Sequence, residues 1–249
     1  MSASNKKTAQ LYRMSTDKHT CPFGLKSKDL LKREGFEVED HILANREETD
    51  AFKAKYNVAT TPQTFIDGEC IGGYEDLRRH LGKKVRDPNK KTYRPVIVLF
   101  VMAALTAMAA SFAKSGNVLT VQAAEWFVGF AMVLLAMLKL QDIEKFSTMF
   151  LNYDLLAKHW VPYGYIYPFA EGLAGVLMVS GAFIWLSAPI ALFIGTVGAV
   201  SVFKAVYIDK RELKCACVGG GNNVPLGFIS LTENLIMMLM GIYMGSKLL

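Results

Sequence analysis

Only four of the 249 residues are cysteine, eight are proline and 20% are charged. So few cysteines exclude a disulfide-rich secreted scaffold, and glycines without a repeating period exclude a collagen. An apolar content of 52% excludes a disordered chain. No nucleic-acid partner is expected. The first residues carry Lys6 and Lys7 with no apolar segment behind them. They do not read as a secretory signal, so the leading domain is expected to start in the cytosol, where a cysteine is reactive or reduced more often than disulfide-bonded.

What is present is unevenly distributed. Residues 1–94 hold 19 Lys/Arg and 14 Asp/Glu, whereas residues 95–249 hold 9 and 8. After Arg94 the chain becomes a series of apolar stretches about 20 residues long, the length needed to cross a bilayer. A wholly soluble enzyme is excluded.

In the soluble third, Gln10–Met14 alternates as a strand and leads through a polar loop, Ser15–Thr20, to a helix opened by Cys21-Pro22. Phe36–Ile42 has the period of a strand, Arg46–Tyr56 that of a helix, and Asp67-Gly68 turns a hairpin between Thr64–Ile66 and Cys70-Ile71. A last helix is expected from Tyr74 to Leu81. The order is β-α-β-α-β-β-α, an α/β arrangement. Cys21 stands where free backbone N–H groups and the helix dipole favour a thiolate, with Lys18 and His19 adding positive charge. Cys70 reads as a small strand residue.

Tyr12…Cys21-Pro22-Phe23-Gly24, then Thr60-Thr61-Pro62-Gln63-Thr64-Phe65-Ile66, then Gly68…Ile71-Gly72-Gly73-Tyr74-Glu75-Asp76-Leu77 resembles a glutaredoxin over residues 8–82. The resemblance implies a thioredoxin-like fold, a cis Thr-Pro bond beside the thiol, and Cys21 as the nucleophile towards a glutathione mixed disulfide. Lys18, Thr61, Pro62, Gln63, Gly73, Glu75 and Asp76 would surround the glutathione. The sequence departs from the dithiol pattern Cys-Pro-Tyr-Cys, because Gly24 replaces the second cysteine, and it lacks the Cys-Gly-Phe-Ser of the iron–sulfur branch. Oxidised Cys21 must then be released by glutathione, by Cys70 or by a cysteine of the second domain.

Residues 83–94 form a basic linker suited to an anionic inner leaflet. Five spans are expected beyond it: Pro95–Ala113, Val118–Leu138 with Glu125 near its hydrated outer end, Tyr163–Trp185 with Glu171, Ile190–Tyr207 after a Ser187-Ala-Pro189 turn, and Pro225–Tyr243 with Glu233 and Asn234. Seven of the nine later Lys/Arg, Lys139 among them, lie in or beside the loops 139–161 and 208–224. That bias makes both loops cytosolic and puts the C-terminus outside, in a cell inner (plasma) membrane. Phe146–Trp160 reads as a helix lying in the interface. Glu171 and Glu233 are expected to face the bundle interior, either as a proton relay with Asn234 or as helix–helix hydrogen bonds.

Cys215-Ala216-Cys217, followed by three glycines, supports two chemistries: a small, readily reduced disulfide, or a clip for a soft metal such as Cu(I) or zinc. Two incidental loop cysteines are the bland reading. Lys139…Phe146, Tyr153-Asp-Leu-Leu-Ala157, Pro162-Tyr163…Tyr167-Pro168-Phe169-Ala-Glu171, Cys215-Ala-Cys217 and Thr232-Glu233-Asn234 together resemble the MauE branch of the MauE/DoxX membrane proteins, over residues 118–246. That family is associated with methylamine utilisation and with disulfide handling during maturation of methylamine dehydrogenase. The resemblance gives four domains or segments: 1–82 glutaredoxin-like, 83–94 linker, 95–117 an added anchor helix, and 118–249 a four-helix membrane domain. The expected function is thiol–disulfide exchange between Cys21 and the Cys215/Cys217 pair, with glutathione or protein thiols as partners, the bilayer as setting and a membrane quinone as a far electron partner by analogy with DsbB-like proteins. The rival expectation is soft-metal handling with an attached reducing domain; no resident metal is assigned.

Overall fold

The computed structural model describes residues 7–16, 19–85, 87, 91–216 and 224–248. It divides into two compact units, Met1–Asp87 and Pro88–Leu249.

The first unit contains β1 (Thr8–Thr16), β2 (His19–Thr20), α1 (Pro22–Arg33), β3 (Glu37–Leu43), α2 (Arg46–Tyr56), β4 (Gln63–Ile66), β5 (Glu69–Gly72) and α3 (Tyr74–His80). β1 is the centre of the sheet: it pairs parallel with β3 and antiparallel with β4, and β4 pairs antiparallel with β5. This is the thioredoxin-like α/β order expected, with one addition. The segment read as a polar loop folds back as β2, pairing Ser15 with Thr20 and Thr16 with His19. Hydroxyls hold that turn, since Ser15 Oγ and Thr20 Oγ1 are 3.0 Å apart and the His19 N–H donates to Thr16 Oγ1 at 3.0 Å.

Alternation along β1 sends its side chains to two layers. On one face Ala9 and Leu11 meet Leu30 and Leu31 of α1, Ile66 and Leu77 of α3. On the other, Tyr12 stacks on His41 at 4.5 Å and on Phe52 of α2 at 4.7 Å, with Phe65 edge-on. Complete burial of Leu11, Leu31 and Leu77 stabilises the unit by about 2 kcal/mol each. Where the first face ends, Arg13 is buried and donates through Nε and Nη2 to both oxygens of Asp40, at 2.7 and 2.8 Å; Lys28 Nζ adds a bond of 2.6 Å.

The second unit contains α4 (Arg94–Ser115), α5 (Val121–Leu140), the short helices α6 (Ile143–Phe150) and α7 (Leu155–His159), α8 (Pro162–Ser180), α9 (Ile184–Phe203), which runs on through a π-helical turn to Ile208, and α10 (Phe228–Ser246). Four of these helices, α4, α5, α9 with its π turn, and α10, are long and apolar enough to cross a membrane. The chain is a membrane protein. α8, read from sequence as a span, also forms a long helix. Pro168, Glu171 and its tyrosines make it less apolar than the other four, and Glu171, Tyr163 and Tyr167 are turned inward.

Two boundaries differ from expectation. The chain breaks at Gly181 and Phe183, which have left-handed φ of +67° and +50°, and not at Ser187–Pro189, which lies inside α9. Glycine accepts the helix-ending conformation, and proline is tolerated near the start of a membrane helix. The segment 146–160 is not one interfacial helix but α6, a turn and α7, with Phe146, Phe150, Tyr153 and Ala157 packed into the bundle core.

α4 packs through one stripe, Val96, Leu99, Ala103, Ala107 and Ser111, while Ile97, Val101, Met102 and Leu105 face outward. α9 and α10 approach most closely. A Cβ on Gly198 of α9 would overlap Asn234 Oδ1 on α10, so glycine there leaves room for that amide.

Hydrogen bonds from Arg13, and then from Lys28, hold the Asp40 carboxyl below the usual carboxylate range despite partial burial. A carboxyl whose folded pKa is lowered contributes stability that is complete above its unfolded value, about 3.9, and is lost as pH falls through the folded value. Asp40→Asn is expected to cost the β1–β3 pair about 2–3 kcal/mol at neutral pH and to shrink the acid limb below about pH 4; amide hydrogen exchange of β1 in the full chain measures both, and equal protection at pH 7 would contradict the assignment. Gly198→Ala is expected to destabilise the membrane unit by about 1–3 kcal/mol through overpacking. Thermal unfolding in detergent checks this, with Asn234→Ala in the same chain expected to recover part of the loss.

Candidate functional site

Cys21 is the N-cap of α1, with proline at the first helical position. Its N–H bonds to the Met14 carbonyl at 3.0 Å, which ties the start of the helix to the end of β1. The thiol is free and buried. The space where a dithiol motif would place its second side chain is occupied: a Cβ on Gly24 would lie 2.7 Å from Arg13 Cβ and 2.9 Å from its Cδ. Arg13 is held there by Asp40, and its charge interacts with Cys21. Sequence reasoning missed this residue, because an arginine in an alternating strand reads as an exposed position.

The Thr61–Pro62 bond is cis. Pro62 is buried, and its carbonyl lies 3.7 Å from the Cβ position of Gly73. Asp76 closes the start of α3 by accepting the Gly73 N–H at 3.1 Å. Pro62, Gly73 and Asp76 therefore come together with the α3 N-terminus, and Glu75 lies exposed in the first turn of that helix. Gln63 is turned inward, donating to the Thr60 carbonyl at 2.8 Å and accepting the Cys70 thiol at 3.6 Å. Cys70 is thus an exposed strand residue bridged to Gln63. Two residues beyond Cys21, exposed Phe23 has its ring centroid 6.4 Å from that of half-buried Tyr74, and the Lys26 ammonium lies 5.5 and 5.9 Å from them. Lys18 lies outside the described residues.

In the second unit Cys215 is buried and disulfide-bonded. Cys217 and the glycines after it lie outside the described residues. The flanks of that loop pair with each other: the Cys215 N–H bonds to the Val224 carbonyl and the Leu226 N–H to the Leu213 carbonyl, both at 2.8 Å. The loop is fastened to the α6–α7 connection at two points. The Tyr153 hydroxyl hydrogen-bonds with the Ala216 backbone, and Arg211 Nη1 donates to the Asn152 carbonyl at 2.7 Å. Burial pushes the Tyr153 phenol up, and it also raises the Asp154 carboxyl, against hydrogen bonds from the Ala157 N–H and Ser201. Beside the loop lies a cleft of about 490 Å³ lined by Lys91, Lys210, Arg211, Glu212 and Lys214.

Beneath the disulfide the bundle holds ions. Lys139, 1% exposed, donates through Nζ to both oxygens of Glu171 at 2.7 and 2.6 Å, and the same nitrogen lies 3.6 Å from Glu233 Oε1. Its ammonium also lies 5.1 Å from the Tyr167 ring and 6.0 Å from the Phe146 ring. Glu171 and Glu233 thus share one partner, and Asn234, one position on, donates to the Ser230 carbonyl at 2.7 Å. Ser230 in turn donates to Cys215 Sγ at 3.2 Å.

Two sequence readings are corrected here. Lys139 is buried inside the bundle and is not a charge flanking a cytosolic loop, so the basic-residue bias for that loop loses one member. Glu125, expected to be hydrated, is buried and paired with Lys247. Ser230 and Lys139 were both missed. A lone lysine closing one apolar span, with glutamates inside two others, was the available signal for the second.

The geometry agrees with relationships to known proteins. Residues 11–71 match the glutaredoxin family model, and residues 117–246 match that of the methylamine utilisation protein MauE. Over 71 residues the chain is 37% identical to the Synechocystis protein named "Probable glutaredoxin ssr2061", covering 28% of this chain and 81% of that one. It is also 38% identical over 60 residues to the "Hybrid peroxiredoxin hyPrx5" of Haemophilus influenzae, a match covering 24% of this chain and a quarter of that relative's length. A glutaredoxin domain joined to membrane helices that fill the MauE model over half of the chain leads to one assignment: this protein belongs to the MauE family, in a form with a glutaredoxin domain fused ahead of it.

Proposed function

We propose that the protein is a membrane-bound thiol–disulfide oxidoreductase in which Cys21 exchanges with glutathione or a protein thiol and relays an electron pair to or from the Cys215/Cys217 pair. One observation carries the reading. The domain built for thiol exchange has a single cysteine at its helix start, with Arg13 filling the space of a second, while the membrane domain of the same chain holds a disulfide at Cys215. In the reducing direction the Cys21 thiolate attacks one sulfur of the pair, a mixed disulfide forms and the other cysteine leaves as a thiolate. A glutathione thiolate then attacks Cys21, releasing the pair reduced. A second glutathione frees Cys21 and departs as glutathione disulfide. The opposite direction reverses each step.

Glutathione would be held over Cys21 by Thr61, Pro62, Gly73 and Asp76, with Lys18, Gln63 and Glu75 completing the site. The basic cleft beside the Cys215 loop matches the carboxylates of the same tripeptide. The reading places the glutaredoxin domain and the Cys215 loop together on the cytosolic side of the inner membrane, with a quinone as the far electron partner. Tethering keeps the local concentration of one module near the other at roughly millimolar for a short flexible linker.

The test is mass-tag trapping of Cys215 and Cys217 thiols in native membranes after a pulse of reduced glutathione. The pair is expected to become reduced at least about tenfold faster in the parent than in Cys21→Ser. Equal rates would separate the two modules. Stoichiometric Cu(I) or zinc on the reduced pair, lost in the double cysteine variant, would favour soft-metal handling instead.

A further inference from the structure

Cys215 Sγ accepts a hydrogen bond from Ser230 Oγ at 3.2 Å, and both residues are buried. A disulfide sulfur is a poor acceptor, but the thiolate left when that bond is cleaved is a strong one. Ser230, Glu233 and Asn234 stand at positions i, i+3 and i+4 of α10 and so share one face. That face lines a cavity of about 10 Å³, room for the centre of one water, whose walls also include Lys139, Tyr153 and Tyr167. Among the described residues Asn234 Oδ1 is buried without a hydrogen-bond partner, and Asn234 lines this same cavity. A polar path thus runs from Cys215 through Ser230 into a void bounded by ionisable groups.

The charge on that void is nearly closed by its own residues. α5 contributes Lys139, α8 contributes Glu171 and Tyr167, α10 contributes Glu233, and the α6–α7 connection contributes Tyr153 with Asp154 behind it; α9 contributes Gly198 and Val202, which carry no charge. Asp154 is tied to the Ala157 N–H behind Tyr153, and in the cluster itself one ammonium against the two carboxylates of Glu171 and Glu233 leaves one negative charge in surroundings where an unbalanced charge is costly. One added proton makes the cluster neutral. Lys139 is committed to Glu171 by two short hydrogen bonds, so Glu233, at 3.6 Å, is the group placed to carry it.

We propose that Lys139, Glu171 and Glu233 are the proton store of the Cys215 disulfide, and that Ser230 passes the proton between store and sulfur. The inference rests on the reading of Cys215 as redox-active. A glutathione or Cys21 thiolate attacks the sulfur bonded to Cys215: a new S–S bond forms to that sulfur, the old one breaks, and its electron pair leaves on Cys215 Sγ. Ser230 gives its proton to that thiolate and regains one from the Glu233 carboxyl through the cavity. A second thiolate of the same class then resolves the mixed disulfide. On reoxidation the Cys215 proton returns to the carboxylate. Glu233 and Ser230 act as acid and base towards the sulfur, and Lys139 and Glu171 are positioning residues that hold the store charge-balanced.

The test uses the full chain in lipid nanodiscs, reduced glutathione as reductant and alkylation tagging of Cys215, with rate constants expressed per glutathione thiolate between about pH 6 and 9. In the parent the rate constant is expected to fall at least about tenfold as pH rises and the store empties. Ser230→Ala and Glu233→Gln are each expected to be at least about tenfold slower at the acid end, with a flat profile. Variants with the parent's rate and slope would overturn the proton store. Ser230→Ala, which removes a single small hydroxyl, decides the matter if Glu233→Gln fails to fold. A parent whose Cys215 resists glutathione and dithiothreitol at every pH would instead overturn the redox reading on which the proposal rests.

Discussion

An ammonium enclosed by membrane helices needs an opposing charge at hydrogen-bond distance, because leaving either partner alone in that medium costs several kcal/mol. Lys139 meets the requirement with Glu171 on α8 and Glu233 on α10, so three helices are fixed in rotation by one side chain. Much follows from that constraint. α8 can be less apolar than its neighbours because Glu171 points inward. Phe146 and Tyr167 turn their rings towards the ammonium, which brings α6 and its connection down onto the bundle. α10 must present Glu233 and Asn234 to the interior, and the close approach at Gly198 makes room for the amide. The same face carries Ser230, and so the Cys215 sulfur is seated on the ion cluster. Such a cluster adds little net stability compared with an apolar core of equal volume. What it supplies is a specified arrangement of helices with ionisable groups beneath a disulfide.

The soluble domain is shaped by a second buried charge. Arg13 is held by Asp40, to which Lys28 also donates, and its stem fills the volume into which a side chain at position 24 would project. A glutaredoxin domain packed in this way has no local resolving thiol. The membrane domain of the same chain carries two further cysteines, one of them disulfide-bonded at Cys215, which is the chemical complement of that deficit.

The fold was largely legible in the sequence. Period-two alternation marked β1 and β3, Pro22 marked the start of α1, Asp67-Gly68 marked the β4–β5 turn, and apolar runs about 20 residues long marked α4, α5, α9 and α10. The errors have physical reasons. The Ser15–Thr20 hairpin is held by hydroxyl hydrogen bonds that composition does not distinguish from a loop. Pro189 looked like a break, but Gly181 and Phe183 take the left-handed backbone that ends α8. The segment 146–160 has the composition of an interfacial helix, yet Phe146, Phe150 and Tyr153 pack inward on one another and on Tyr163 and Tyr167 of α8, with Phe146 also against the Lys139 ammonium. For the site, the sequence motifs named Cys21, Pro62, Gly73, Asp76, Glu171, Glu233 and Cys215, which lie at the start of α1, at the cis peptide bond, at the start of α3, in the buried ion cluster and at the disulfide. Arg13 and Ser230 were not readable, and Lys139 only as a lone lysine closing an apolar span, because each takes its role from a contact between elements: Arg13 with Asp40 and Gly24, Lys139 with two glutamates, Ser230 with a sulfur 15 residues away.

Direct transfer between the two kinds of cysteine in one chain passes through a disulfide that joins them, and trapping that intermediate tests it. In Cys217→Ser and Cys215→Ser chains, each with one membrane-domain thiol remaining, oxidised glutathione will load Cys21. The remaining thiolate can then attack the Cys21 sulfur and expel glutathione, and no second cysteine of the membrane domain is left to resolve the product. Peptide mass spectrometry of the purified full-length chains is predicted to find Cys21 disulfide-linked to Cys215 or to Cys217 within one molecule. Glutathione on each cysteine separately, with no Cys21-linked peptide in either variant, would contradict the relay.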